Sequence, residues 1–306
     1  MPNAPSASKS LAVLLLALAV VACGEPASPG EPPVDDPDAG QPFADGGDPS
    51  DDGGSPSEDA GSGPADAGPP APVIVDCPPL VHEGVDDDYT AIERLRGEAL
   101  RRELLRRVEA HFELSYNGAK DYLFSRNGID VVGGRVECIY TGQTFNRTEL
   151  DTPSGTDGYN VEHSWPQSDF FGSGGSPKTD LHHLFASEKT ANSHRASLYF
   201  GETDCAAGGC LWEEGGSSKG TSIEHGMRVF EVRPEYRGEV ARAHFYMSVR
   251  HGWDIPDNEE KTLRRWNRCD PPEAAERARN DAIEEKQENR NPFVDRPEFV
   301  DYISDF

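Results

Sequence analysis

Basic residues are scarce in this 306-residue chain: 29 Lys and Arg stand against 55 Asp and Glu, and residues 24–90 hold 17 of those acids with no Lys or Arg. A shortage on that scale excludes the strongly basic proteins that coat nucleic acid along their whole surface. Hydrophobic residues are also few, at 35% of the chain, which excludes a chain folded from end to end. The apolar run at residues 11–21 is too short to cross a bilayer. No internal repeat and no heptad pattern occur, so solenoids and coiled coils are excluded. There is no His-Glu-x-x-His segment either, the helical ligand pair of many zinc proteases.

The deficits sit mostly at the front. Residues 91–306 hold 38 acids and 28 bases, a net charge of −10 out of −26 for the whole chain. That part has the size of one globular domain of roughly 215–230 residues. Ahead of it, Lys9 and the apolar run have the form of an export signal. The run ends in Val20-Val21-Ala22-Cys23, which resembles a bacterial lipobox, so Cys23 is the expected lipidation site; an ordinary secretory signal with a chance cysteine is the rival. Of the 49 residues from 24 to 72, 22 are Gly or Pro and one, Phe43, is aromatic. Such a segment cannot bury enough apolar area to offset its ordering entropy, and its prolines and like charges extend it as a tether. The expected organisation is a lipoprotein signal peptide at 1–22, a tether at 23–78 and a folded domain at 79–306. This implies an exported protein, lipid-anchored to a bacterial outer membrane or secreted.

Five cysteines follow Cys23: Cys77, Cys138, Cys205, Cys210 and Cys269. Export makes disulfides expected. Cys205 and Cys210 could close a local loop. A zinc knuckle is the rival reading, and it lacks a second Cys or His pair at matching spacing. Five is odd, so one thiol stays free or pairs outside the chain.

Apolar residues recur at helical spacing over residues 86–112, and Asp86, Asp87 and Asp88 suit the positive end of a helix dipole. Within 128–145, Val131 to Val136 read as two short strands around Gly133-Gly134. Residues 234–253 read as a helix opened by Pro234, and 272–289 as a second, charged helix stopped before Pro292. The fold class is α+β, a mostly helical domain around a small strand pair.

Chemistry concentrates in the middle. Tyr159-Asn160-Val161-Glu162-His163-Ser164-Trp165-Pro166-Gln167-Ser168 is followed by Asp180-Leu181-His182-His183-Leu184-Phe185-Ala186-Ser187, which runs into a stretch holding Asn192 and Arg195. This reads as a strand ending in Glu-His, a glycine-rich loop, a second strand and a short helix. A carboxylate and an amide carbonyl are hard ligands for a divalent ion that keeps several waters. A neutral histidine beside them can accept a proton. Asn192 and Arg195, three apart, share a helix face. On a regular strand Glu162 and His163 would point to opposite faces, so both serve one site only if the strand ends or kinks there.

At these residues the sequence closely resembles the bacterial endonuclease I family of the His-Me finger (ββα-metal) nucleases. That family's pattern is an aromatic or Asn-x-Glu-His-x-x-Pro segment, then Asp-x-His-Asn/His-Leu, then a helix with Asn-x-x-Arg. The three parts stand in order at 160–166, 180–184 and 192–195, with further likeness at Cys138-Ile139-Tyr140-Thr141-Gly142 and from Pro271-Pro272 to 289–293. The resemblance implies a monomeric, non-specific endonuclease that cuts DNA, or RNA, to 5′-phosphate and 3′-hydroxyl ends. It makes His163 the general base, and Glu162 and Asn192 the holders of one Mg²⁺, Mn²⁺ or Ca²⁺ ion. The family's loop arginine has no counterpart here, which leaves Lys178 or Arg195 to meet the phosphate.

Plainer readings stand beside these. Glu162 could be a surface carboxylate and His163 a packed histidine. Of His182 and His183, adjacent on the expected second strand, at most one faces the site, and Asp180 orients that strand. His194, His225, His244 and His251 are read as ordinary, and Trp165, Phe170 and Phe171 as core rather than base-stacking residues. A zinc hydrolase or metalloprotease built on His163, His182, His183 and Glu162 is one alternative function. A non-enzymatic, metal-binding surface lipoprotein is another. The arginines at 94–107 and 264–268 are read as solvated helix faces before DNA tracks, so any basic groove is confined to one face.

Overall fold

The structure, a computed structural model, describes residues 74–82, 88–147, 159–170 and 176–306. The expected signal peptide, Cys23, most of the tether, Asp86, Asp87 and Phe171 lie outside the described residues. No helix among the described residues is long and apolar enough to cross a membrane.

The elements run α1 (Gly97–Val108), α2 (Tyr116–Phe124), β1 (Val131–Val132), β2 (Arg135–Glu137), β3 (Thr144–Asn146), β4 (Tyr159–His163), α3 (Gln167–Phe170), α4 (Ser176–Thr179), β5 (Leu184–Glu188), α5 (Lys189–Arg195), β6 (Cys210–Glu214), β7 (Ser217–Thr221), β8 (Arg228–Glu231), α6 (Arg237–His251), α7 (Asp257–Cys269), α8 (Ala274–Gln287), α9 (Pro292–Asp295) and α10 (Phe299–Tyr302). This is the α+β class expected, with helix outweighing three small antiparallel sheets: β1-β2-β3, β4-β5 and β6-β7-β8.

The long helix expected over 86–112 is shorter than its apolar period. A 3-10 turn, Thr90–Ile92, comes first; Arg96 is extended, and Gly97 takes φ +53° before α1 continues. Leu100, Leu104 and Val108 then bury one stripe. Gly133 and Gly134 do form the expected hairpin turn. Their φ values of +58° and +76° are what a tight two-residue connection requires, and only glycine adopts both without strain. Pro234 opens a 3-10 turn rather than α6 itself, and α8 stops at Glu288, in the left-handed region at φ +65°.

Two hydrophobic clusters hold these elements. The larger surrounds α6, which is buried along nearly its whole length, and gathers Leu100, Leu104, Phe245, Trp266, Phe293 and Phe306. The smaller joins α2 (Leu123, Phe124) to Tyr159, Val161, Leu184, Ala186 and Ile283. The β4-β5 ribbon lies between them: Val161 and Leu184 belong to the smaller cluster, Phe185 to the larger. A disulfide, Cys77–Cys269, ties the described N-terminal segment to the end of α7. The expected local loop is closed by Cys205–Cys210 ahead of β6, and Cys138 is the buried free thiol.

Candidate active site

β4 and β5 pair antiparallel, with Glu162 opposite Phe185 and His163 opposite Leu184. Alternation along the strand therefore sends the two side chains to opposite faces of the ribbon, as the sequence objection anticipated. β4 ends at His163, and Ser164 and Trp165 bend the chain away.

Glu162 is 3% exposed and faces the larger cluster. Its Oε1 accepts a hydrogen bond from the Tyr140 hydroxyl at 2.7 Å. Arg195 Nε lies 3.3 Å from the same oxygen, close enough for an ion pair but not aligned for a hydrogen bond. Burial pushes the Glu162 carboxyl up from its ordinary value, and Arg195 and the Tyr140 hydrogen bond oppose that shift. Arg195 is 1% exposed. It also donates to the carbonyls of Ser164 and Ala196 and lies 4.6 Å from the Phe200 ring centroid. Its charge is directed inward. Asn192 sits one turn earlier on α5, half-buried, on the same helix face as Arg195 and so on the Glu162 side. The α5 helix starts where it does because the Glu188 carboxylate accepts from Ala191 N at 2.8 Å.

His163, 4% exposed, meets different chemistry. Its Nε2 is 3.1 Å from the backbone oxygen of Lys178, which can only accept, so Nε2 carries the proton. Nδ1 is then the lone-pair nitrogen, and the Gln167 amide donates to it at 3.1 Å. The rings of Tyr116, Phe170 and His183 surround the imidazole at centroid distances of 5.9, 6.3 and 5.3 Å. Burial lowers its pKa well below the usual histidine value, with His183 adding to the effect. The ring is a neutral base of defined tautomer.

Lys178, on α4, gives its carbonyl to His163 and places its ammonium 4.6 Å from the Tyr116 ring centroid. His182 and His183 are not on the second strand. Leu181–His183 forms a 3-10 turn, nucleated because the Asp180 carboxylate accepts from His182 N at 3.1 Å, and β5 begins only at Leu184. His183 packs edge-on against His163, whereas His182 turns to Tyr246 and the Asn289 carbonyl. Asp180 is fully buried. It accepts from Tyr246 and Gln287 and pairs with Arg250, which anchors the entry to β5 on α6 and α8. Trp165 and Phe170 belong to the larger core, and His244 donates to the Ser164 carbonyl at 2.9 Å.

Many arginines of the two expected clusters face carboxylates: Arg102 meets Glu98, Arg106 and Arg107 meet Glu103, Arg264 meets Glu260, Arg265 meets Glu202 and Glu224, and Arg268 meets Asp301. They brace the surface of the fold. Among the described residues, no three His, Cys, Asp or Glu converge as metal ligands. A zinc centre with three such protein ligands is therefore not assembled from them. Sequence reasoning passed over Tyr140 and Gln167 as contributors. Tyr140 lay in a stretch quoted for its likeness and Gln167 one residue past another, but nothing in their spacing marked their contacts with Glu162 and His163.

The fold is thus a mixed α+β one in which a strand-turn-strand-helix unit carries Glu162 and His163 at the end of its first strand. The family model described as Endonuclease I matches residues 96–298, and the chain belongs to the endonuclease I family. It is 31% identical over 247 residues to an extracellular ribonuclease of Bacillus subtilis (strain 168), covering 74% of this chain and 81% of that protein. An extracellular ribonuclease of Bacillus amyloliquefaciens is 32% identical over 68% of this chain and 74% of its own. An extracellular deoxyribonuclease of Aeromonas hydrophila is 28% identical over 38% and 49%. The protein is a nuclease.

Proposed function

We propose that this nuclease is a divalent-metal-dependent endonuclease that hydrolyses internal phosphodiester bonds of DNA or RNA without sequence preference, leaving 5′-phosphate and 3′-hydroxyl ends. The observation that carries this reading is the fixed tautomer of His163. A neutral imidazole with Nε2–H on the Lys178 carbonyl and its lone pair on Nδ1 is set to accept a proton. In this scheme Nδ1 takes a proton from water as its oxygen bonds to phosphorus, while the P–O3′ bond opposite breaks and the departing 3′-oxygen takes a proton from solvent.

The residues on the other face fit a hard divalent cation. Both contacts of Glu162 fall on Oε1, so Oε2 is left to coordinate, and Asn192 follows on the adjoining helix face. A carboxylate and an amide oxygen suit an ion such as Mg²⁺ that retains several waters. When bound, such an ion supplies charge neutralisation to the phosphate and the leaving oxygen. A backbone crossing the end of β4 would meet both faces at once. The inward ties of Arg195 favour Lys178 as the side chain that meets the phosphate.

We further read residues 1–22 as the export signal, Cys23 as the lipid-bearing residue, 23–78 as the tether and 79–306 as the nuclease domain, which acts as a monomer. Relatives named extracellular and periplasmic nucleases support export. The longer matches, to ribonucleases, make RNA a substrate to test beside DNA. The purified chain is expected to cut plasmid DNA or RNA with Mg²⁺, Mn²⁺ or Ca²⁺ and to stop in EDTA. His163→Ala is expected to lower the rate by about 10²–10⁴-fold. A His163→Ala protein that cuts as fast as its parent would sink the assigned mechanism. Restoration by Zn²⁺ alone would favour a zinc hydrolase instead.

A further inference from the structure

On the Glu162 side of the ribbon a series of rings runs from the buried carboxylate out to the surface. Tyr140, whose hydroxyl donates to Glu162, meets the Phe230 ring at a centroid distance of 4.8 Å. Trp212, on β6, stacks on Phe230 at 5.7 Å with planes 21° apart. His194, on α5, stacks in turn on Trp212 at 4.9 Å and 18°. Tyr140 and Phe230 are fully buried, whereas Trp212 and His194 are only partly so. The imidazole ends the series: among the described residues no further ring lies on it.

The sheet that carries Trp212 adds positive charge beside these rings. Lys219 stands opposite Trp212 on β6 and Phe230 on β8, and Arg228 stands opposite Thr221. Alternation therefore puts Trp212, Lys219, Arg228 and Phe230 on one face. Lys219 and Arg228 are diagonal neighbours across β7 and β8, within reach of each other's long side chains. Burial and then the Arg228 charge lower the Lys219 pKa, and burial and then the Lys219 charge lower that of His194. Glu188 and Glu214 pull His194 the other way, and Glu188 is held as the cap of α5. Among the described residues neither Lys219 nor Arg228 forms an ion pair, whereas Arg233 and Arg237, just past β8, sit on Glu137 and Glu231. Like charges on neighbouring strands oppose sheet stability, and an anion lying between them offsets that repulsion. Stacking rings beside phosphate-binding cations are the two parts of sequence-tolerant single-strand recognition.

We infer that this surface binds an unpaired stretch of the substrate strand on the Glu162 side, one base stacking on His194 and the backbone phosphates lying on Lys219 and Arg228. A base reaches such a ring only when it is splayed out of a duplex, so the surface favours single-stranded over paired nucleic acid. His194, Lys219 and Arg228 are then positioning residues, which hold the strand and leave the reacting atoms to the ribbon. The inference rests on the nuclease reading and adds to it a preference for unpaired substrate. It requires that strand binding depend on these residues even when no cleavage occurs.

The test measures binding of the full chain to a fluorescent single-stranded 12-mer, and to the same sequence as a duplex, in EDTA across a salt series. Cleavage kinetics in Mg²⁺ accompany it. Lys219→Gln and Arg228→Gln are each expected to weaken single-strand binding roughly 3–10-fold at low salt. Each should reduce the slope of log K against log salt by about 0.7, the value for one lost single-strand phosphate contact. His194→Ala should weaken single-strand binding about 5-fold or more with the slope unchanged, and should leave duplex binding as it was. His194→Phe, which keeps a ring, should restore most of that loss. KM on single strands should rise with each loss of binding while kcat stays within about twofold. Lys261→Gln, exposed on α7, should change nothing. If His194→Ala and Lys219→Gln bind the single strand as the parent does, with the same slope, the inference is overturned while the nuclease reading stands. Equal losses on duplex and single strand in His194→Ala, or an equal loss in Lys261→Gln, overturn it as well. A parent that binds but does not cut, with the variants weakened as expected, counts against the cleavage scheme alone. A parent that does not bind overturns the inference outright.

Discussion

Neighbouring residues of one strand occupy two different chemical regions. On one side of β4, Glu162 is held by the Tyr140 hydroxyl and the buried Arg195 guanidinium. On the other side, His163 is ringed by Tyr116, Phe170 and His183, with neutral hydrogen bonds to the Lys178 carbonyl and Gln167. The pleat keeps a carboxylate and an imidazole adjacent in sequence from pairing with each other. Had they paired, Glu162 would raise the histidine pKa and favour a protonated ring unable to accept a proton. Separated, the two groups answer to different surroundings: Arg195 and the Tyr140 hydroxyl oppose the upward pull of burial on Glu162, while burial keeps the His163 ring neutral.

The largest expected effect comes from breaking the charged side. Glu162→Gln should abolish metal-stimulated cleavage as fully as His163→Ala, yet the two should part in stability. Removing the Glu162 charge leaves Arg195 buried without its counter-ion, so unfolding free energy should drop by about 3 kcal/mol. His163→Ala removes a neutral ring, and its cost should be nearer 1–2 kcal/mol. Chemical denaturation of both variants checks the contrast. Equal losses of stability would mean that the two faces are not electrostatically distinct.

A smaller effect probes the neutral side. Gln167 donates to the nitrogen that the scheme assigns as base. The ring is also held by the Lys178 carbonyl and by its aromatic neighbours, so Gln167→Ala should leave kcat within about threefold of the parent. Gln167→Glu should act differently, because a carboxylate at Nδ1 raises the imidazole pKa, by roughly 1–3 units where the charges touch. Its activity should begin to fall at a higher pH than the parent's as the solution is acidified, read directly from the acid limb of the pH–rate profile. If Gln167→Glu keeps the parent profile, Nδ1 is not the base.

Much of this arrangement is legible in the sequence. The Gly133-Gly134 hairpin, the order of Glu162-His163, Asp180 and Asn192-Arg195, and the local Cys205–Cys210 loop follow from residue type and short spacing. What escapes is set by distant partners. The β6-β7-β8 sheet is hidden because Ser217-Ser218-Lys219-Gly220-Thr221 has no apolar alternation to mark a strand; its place is fixed by pairing with β6 and β8. Helix α7 escapes because its apolar stripe is only Leu263, Trp266 and Cys269, set among charged residues of which Glu259 and Glu260 are themselves buried. The 3-10 turn at His182-His183 depends on the Asp180 cap, and Asp180 is oriented by Tyr246, Arg250 and Gln287, far along the chain. The inward turn of Arg195 follows from backbone carbonyls that no motif records.

The smallest effect concerns whether both sides of the ribbon are equally dry. His244 sits behind the Glu162 side, sharing the Ser164 carbonyl with Arg195, and burial followed by Arg195 lowers its pKa to about 3. His183 touches His163 on the other side, and burial lowers it to about 4 against the pull of Asp180. Both folded pKa values lie below the ordinary 6.5, so as pH falls the unfolded chain takes up these protons first. The stability these neutral rings contribute is therefore complete above about pH 6.5 and is lost as pH falls toward the folded values. Each contributes a slope of at most about 1.4 kcal/mol per pH unit in that window. Denaturation at pH 7, 6, 5 and 4.5 should show stability declining with acid, and His244→Gln and His183→Gln should each flatten the decline. If only His183→Gln flattens it, water reaches the ring behind Glu162, and the charged face is the wetter of the two.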